Sequence, residues 1–139
     1  VIGPGPGEPR DVQVLQNQIP HLQTPVLGIC LGHQLIAAAY GAAIIRARRP
    51  MHGKKSLIEH KFMSFPAELA VARYHSLIVK PDTIPTHLKL VAWTKEGEPM
   101  AIKHIEKKMT GIQFHPDSIF TDHGPQFFKE FLDHGEILC

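Results

Sequence analysis

The sequence predicts an α/β fold, on three observations. The first half alternates apolar strand-like runs with helical segments, the pattern of a parallel sheet with crossover helices. The second half is a series of short β-rich runs divided by turn signals. The chain then closes on one amphipathic helical segment. At 139 residues this is one domain, residues 1–139, with one core. A hydrophobic content of 43% and a charged content of 20% exclude the disordered and fibrous classes.

Val1-Ile2 reads as the end of a buried strand, and "GPGPGEP" (3–9) as a rigid Gly/Pro turn. Val12, Leu15 and Ile19 stand at helical spacing, predicting a helix over 11–18. "PVLGI" (25–29) suits a strand buried on both faces. "GHQLIAAAY" (32–40) is built of helix formers, with Gly41 as its natural stop. "AAIIRA" (42–47) is a third strand. "LAVARY", "LIV", "LKLVAWT", "MAIKH" and "TGIQF" follow as strands, with "KEGE" (95–98) as a hairpin turn. The closing helix, 124–132, carries Phe127, Phe128, Phe131 and Leu132 as a core-facing stripe.

Net charge is +2, so the global field selects no partner. Arg46, Arg48, Arg49, Lys54 and Lys55 cluster, with no acid between Asp11 and Glu59. No aromatic residues interleave as stacking platforms, so the cluster reads as a solvated loop or strand face rather than a nucleic-acid surface. No apolar run approaches a membrane span, and no charged-then-apolar leader opens the chain. Cys30 and Cys139 are the only cysteines, which fits a reducing, cytoplasmic setting. There is no HExxH and no Cys/His pairing at zinc-finger spacing. No metal and no other cofactor is expected.

Cys30 stands where a buried strand gives way to a helix, flanked by Gly28 and Gly32 as G-x-C-x-G. Such a corner holds its central residue in strained geometry and needs small neighbours where the flanking turns converge. A helix N-terminus favours thiolate over thiol, and the Leu31 N–H points to where an oxyanion would form. The alternative is a buried cysteine acting as a small apolar residue. A thiol nucleophile also needs a base, and "GIQFHPDS" offers His115 just past another buried strand, with Asp117 to orient the imidazole. Alone, "HPD" is an ordinary loop.

Together these motifs resemble those of the class I, triad-type glutamine amidotransferases. "GICLGHQ" is similar to that family's nucleophile elbow, "GPGEP" to its oxyanion loop and "QFHPDS" to its histidine–acid segment. "RPMHGKKS", "RYHSLIV" and "SIFTDHG" look most like the glutaminase component of anthranilate synthase or of aminodeoxychorismate synthase. The resemblance implies a three-layer, flavodoxin-like fold with a mixed, mostly parallel central sheet, flanking helices and a small antiparallel sheet. It implies Cys30 as nucleophile, His115 as base and then acid, and Asp117 as the orienting acid. Gly5 and Leu31 would supply oxyanion-hole N–H groups. Gly5, Gly7, Leu31, Gln34, Ser76 and Leu77 would hold the L-glutamine substrate. The implied protein partner is a chorismate-binding synthase subunit (component I), and "PMHGKK" would face it.

Two departures bear on that expectation. The family's acid is typically Glu, and position 117 is Asp. The family also places a strand–helix–strand unit before the oxyanion loop and usually Ser where Gly3 stands, so an N-terminally incomplete domain is expected. These departures keep open a catalytically impaired binding subunit. A general cysteine hydrolase on a related fold is the other alternative.

Overall fold

The computed structural model describes residues 1–139. Eight strands form two sheets: β1 (Val26–Ile29), β2 (Ile44–Arg46), β3 (Lys54–His60), β4 (Leu69–Arg73), β5 (Leu77–Val79), β6 (Leu88–Thr94), β7 (Pro99–His104) and β8 (Met109–Ile112). Three α-helices accompany them: α1 (Gln13–Gln18), α2 (Leu31–Ala39) and α3 (Gly124–His134). The main sheet runs β1-β8-β7-β6-β3-β4, and β2 pairs with β5 in a separate ribbon.

Three layers follow from the alternation of side chains along the strands. In β1, Leu27 and Ile29 join Phe114 and Phe127 on the α3 side. Val26 joins Leu35, Ile36 and Met109 on the α2 side. Gly28 faces α2 as well, and a Cβ there would meet the Gly32 carbonyl oxygen at 2.5 Å. That missing side chain lets α2 lie directly on the sheet.

The sheet is mixed, as expected, but its balance is the reverse of a mostly parallel one. Only β1 and β8 run parallel, joined by a parallel bridge from Ile2 to Gly28. The neighbours β8/β7, β7/β6, β6/β3 and β3/β4 are all antiparallel. The reason is connection length. The links 95–98 and 105–108 are tight turns, and a parallel return needs a crossover of about a dozen residues or more. The predicted third parallel strand also leaves the main sheet. Ile44–Arg46 pairs antiparallel with Leu77–Val79, and its half-exposed pattern does not suit a doubly covered central strand.

Three details differ from the sequence reading. The segment predicted as one helix over 11–18 begins as a 3-10 turn, Pro9–Val12, closed by a reciprocal Glu8/Asp11 cap, before α1. Of its apolar positions only Ile19 is buried; Val12 and Leu15 are 37% and 36% exposed. In α3, Phe127 is buried while Leu132 is 81% exposed, so the stripe is narrower than predicted. The basic cluster lies along an exposed surface from β2 to β3. No helix is long and apolar enough to cross a membrane.

Candidate functional site

Cys30 adopts φ 54° and ψ −100°, a positive φ shared among non-glycine residues only with His123, and at a ψ outside the left-handed helical region that His123 occupies. Such a conformation costs ~1–3 kcal/mol and persists only where its surroundings enforce it. The enforcement is visible. The Cys30 N–H bonds the Ile112 carbonyl at 2.8 Å, tying the corner to β8. Its own carbonyl accepts from the Gln34 N–H at 3.2 Å, starting α2. Gly32 sits so close to the Ile2 carbonyl that a Cβ would collide with it.

Residues Gly5, Gly7, Cys30, Leu31, Gln34, Ser76 and Leu77 line one cavity of about 150 Å³, with Pro6, Tyr74 and His75. The structure therefore gathers Cys30 and all six predicted substrate-holding residues around a single space. The β1/β8 register, Ile29 opposite Ile112, brings both chains out at the same sheet edge, where α/β sites form. Cys30 follows the end of β1 and His115 lies shortly beyond β8. His115 and Asp117 do not line the cavity. Tyr74, which does, packs edge-on against the His115 ring at 5.0 Å. The His115 Nε2 is buried and has no hydrogen-bond partner, so it is free to exchange a proton.

The contact between His115 and Asp117 is loose. Nδ1 and Oδ1 are 3.6 Å apart, and the Asp117 side chain is 60% exposed. That is an electrostatic contact rather than a hydrogen bond. Burial lowers the His115 pKa from its ordinary 6.5, with the Asp117 charge only partly opposing it. Burial pushes the Cys30 thiol up to about 11, despite the Leu31 N–H and the Gln113 amide, which favour the thiolate. Both shifts favour the neutral forms, thiol for Cys30 and imidazole for His115. In a Cys139→Ser background, iodoacetamide alkylation of Cys30 is expected to rise about tenfold per pH unit from pH 7 to 9. A plateau near pH 7 would instead indicate a preformed thiolate–imidazolium pair.

The sequence reading missed a buried polar network behind the cavity. Arg73, 1% exposed, bonds Glu98 Oε2 at 2.8 Å, Ser56 Oγ at 3.2 Å and His75 Nε2 at 3.1 Å. His75 Nδ1 lies 2.8 Å from the Leu77 carbonyl. Gln34 Nε2 donates to that same carbonyl and to Gln113 Oε1, both at 3.1 Å. Gln113 Nε2 stands 3.7 Å from the Cys30 sulfur. A buried Arg or Gln looks like a surface residue in a sequence; of these side chains only Gln34 is expected at the site, and Gln113 stands merely within the "QFHPDS" segment. No group of three or more His, Cys, Asp or Glu side chains converges as a metal ion would require.

Comparison with known proteins supplies the family. The family model described as glutamine amidotransferase class-I matches residues 1–134. The aminodeoxychorismate/anthranilate synthase component 2 of Bacillus subtilis is 44% identical over 139 residues, covering 96% of this chain and 72% of that protein. The aminodeoxychorismate synthase component 2 of Escherichia coli is 41% identical over 138 residues, covering 95% and 74%. The crystal structure of a Thermoplasma acidophilum protein described as part of a GMP synthase shares the fold, with a TM-score of 0.84 at 24% identity, over 94% of this chain and 69% of that one. With a matching family model along nearly its whole length and relatives above 40% identity, the chain belongs to the class I glutamine amidotransferase family.

Proposed function

We propose that this chain is the glutaminase component of a chorismate-using synthase, hydrolysing the side-chain amide of L-glutamine and passing the ammonia to its synthase partner. The observation that carries the reading is the strained Cys30 corner opening on a cavity lined by Gly5, Gly7, Leu31, Gln34, Ser76 and Leu77. The names of the Bacillus subtilis and Escherichia coli relatives, component 2 of anthranilate or aminodeoxychorismate synthase, support the partner class. A cytoplasmic setting goes with the same reading.

Each residue takes a chemical role. His115 takes the thiol proton as the Cys30 sulfur attacks the amide carbon, giving a tetrahedral oxyanion. The Leu31 and Gly5 N–H groups receive the negative oxygen. His115 returns the proton to the amide nitrogen, ammonia departs, and a thioester remains. Water then adds with His115 as base, releasing glutamate and the thiol. Glutamine and water go in; glutamate and ammonia come out. The Gln34 Nε2 hydrogens are engaged by the Leu77 carbonyl and by Gln113, which leaves its amide oxygen to accept from the substrate's ammonium group.

A second reading, an impaired binding subunit, is favoured by the 3.6 Å gap between Asp117 and His115. One experiment separates them: ammonia release from glutamine by the chain with a chorismate-using partner, beside trapping of Cys30 by a glutamine-like electrophile. Turnover and labelling support the enzyme; neither occurring overturns it. In the same assay Asp117→Glu is expected to raise kcat roughly 10- to 100-fold, because a misplacement on the order of 1 Å costs about 100-fold. An unchanged kcat would show that the shorter acid already orients the imidazole.

A further inference from the structure

Gln113 is fully buried and follows β8 as Cys30 follows β1, each one residue beyond the Ile29/Ile112 pair. A glutamine amide has a donating and an accepting end of nearly the same shape, so its neighbours decide which end faces the sulfur. Here they leave one solution. Arginine is always charged and can only donate, so His75 Nε2 accepts from Arg73 Nε. His75 is then protonated on Nδ1 and donates to the Leu77 carbonyl. That carbonyl can only accept, so the Gln34 amide turns its nitrogen toward it. The second Gln34 hydrogen goes to Gln113 Oε1. With its oxygen committed, Gln113 turns its NH2 group to the Cys30 sulfur.

We infer that Gln113 is a catalytic residue, its amide N–H stabilising the Cys30 thiolate, and that Gln34 is a positioning residue that holds this amide in its donating orientation through the Leu77 carbonyl. The inference rests on the amidotransferase reading and deepens it. As the thiol proton passes to His115 and the sulfur electron pair turns to the amide carbon, the N–H offsets the charge building on sulfur. It acts again when the thioester breaks and sulfur leaves with the electron pair. Burial of the sulfur makes the bond matter more, since the Leu31 N–H is the other hydrogen bond that favours the anion.

The test reads thiol reactivity in the full chain, on a Cys139→Ser background, by iodoacetamide alkylation at pH 8. Gln113→Met keeps the volume and loses the donor. It is expected to slow alkylation about 10-fold, equivalent to a thiol pKa about one unit higher. Gln113→Glu, which still accepts from Gln34 but turns a negative oxygen to the sulfur, is expected to slow it further. Gln34→Met leaves Gln113 in place and unoriented, and is expected to slow alkylation several-fold; it decides the question if Gln113→Met does not fold. An alkylation rate unchanged in the folded variant, at an unchanged melting temperature, overturns the inference. Capture of the unsubstituted chain by a glutamine-like electrophile is read in parallel. Its failure counts against the amidotransferase reading, whereas capture with unchanged Gln113→Met alkylation counts against the role of Gln113 alone.

Discussion

Alanine at position 30 is expected to lower glutamine hydrolysis by about 10⁵-fold or more, the scale at which a nucleophile's removal leaves only binding and oxyanion stabilisation. The fold should be almost untouched. Cys30 to Ala removes one buried atom, and neither the Ile112 nor the Gln34 backbone bond at the corner depends on the sulfur. Gln113 loses only its weakest contact. His115→Ala is expected to cost nearly as much, because the raised thiol pKa leaves almost no thiolate without a base. The two losses should not add: the double variant is expected to match Cys30→Ala, since in the proposed step sulfur and imidazole act on one proton. Supplying ammonia directly to the partner should bypass both substitutions. Hydrolysis within tenfold of the unsubstituted chain in Cys30→Ala would remove the cysteine from the chemistry altogether.

How much of this was legible beforehand depends on what kind of signal each feature leaves. The elbow was readable because its requirement is steric and local. Two glycines two residues to either side of Cys30, after an apolar run, have few other uses, and the structure puts a Gly32 backbone atom within 2.5 Å of a hypothetical Gly28 Cβ. The strands of the second half were readable as well, and so was the turn at Gly97, where φ is 86°. Strand direction was less readable. Local patterns mark a strand but not its neighbours, and the pairing of β3 with both β4 and β6 is set by distant segments. Strand β3 was hidden because "KKSLIEH" opens on two exposed lysines, so its one buried position, Ile58, gives no run to detect. The bonds that join Arg73, His75, Gln34 and Gln113 left no trace for a different reason, although Gln34 itself is expected at the site. Buried polar groups are tolerated only when each finds a partner, and partners such as Gln34 and Gln113 lie far apart in the chain.

The largest expected effect on stability comes from Gly32→Ala, and it runs against helix propensity. Gly32 lies in the first turn of α2, where alanine would ordinarily gain ~1 kcal/mol over glycine. Here the added methyl would be driven into the Ile2 carbonyl and crowd the Ile2 side chain at 3.2 Å. Neither can step aside freely, because that carbonyl accepts from the Ile29 N–H at 2.8 Å and the Ile2 N–H bonds Leu27 at 2.8 Å. Either the helix lifts off β1 or the bridge breaks, and both distort the Cys30 corner. A net loss of about 3 kcal/mol is expected, the upper range for forcing volume into a packed site. The urea midpoint should fall, and Cys30 alkylation should lose the pH dependence of the parent. Gly3→Ala is the control: no atom lies within 4 Å of its added Cβ, so a change within about 0.5 kcal/mol is expected there. If Gly32→Ala were as mild as Gly3→Ala, the close approach of Ile2 to α2 could not be what holds residue 30 in its strained, positive-φ conformation.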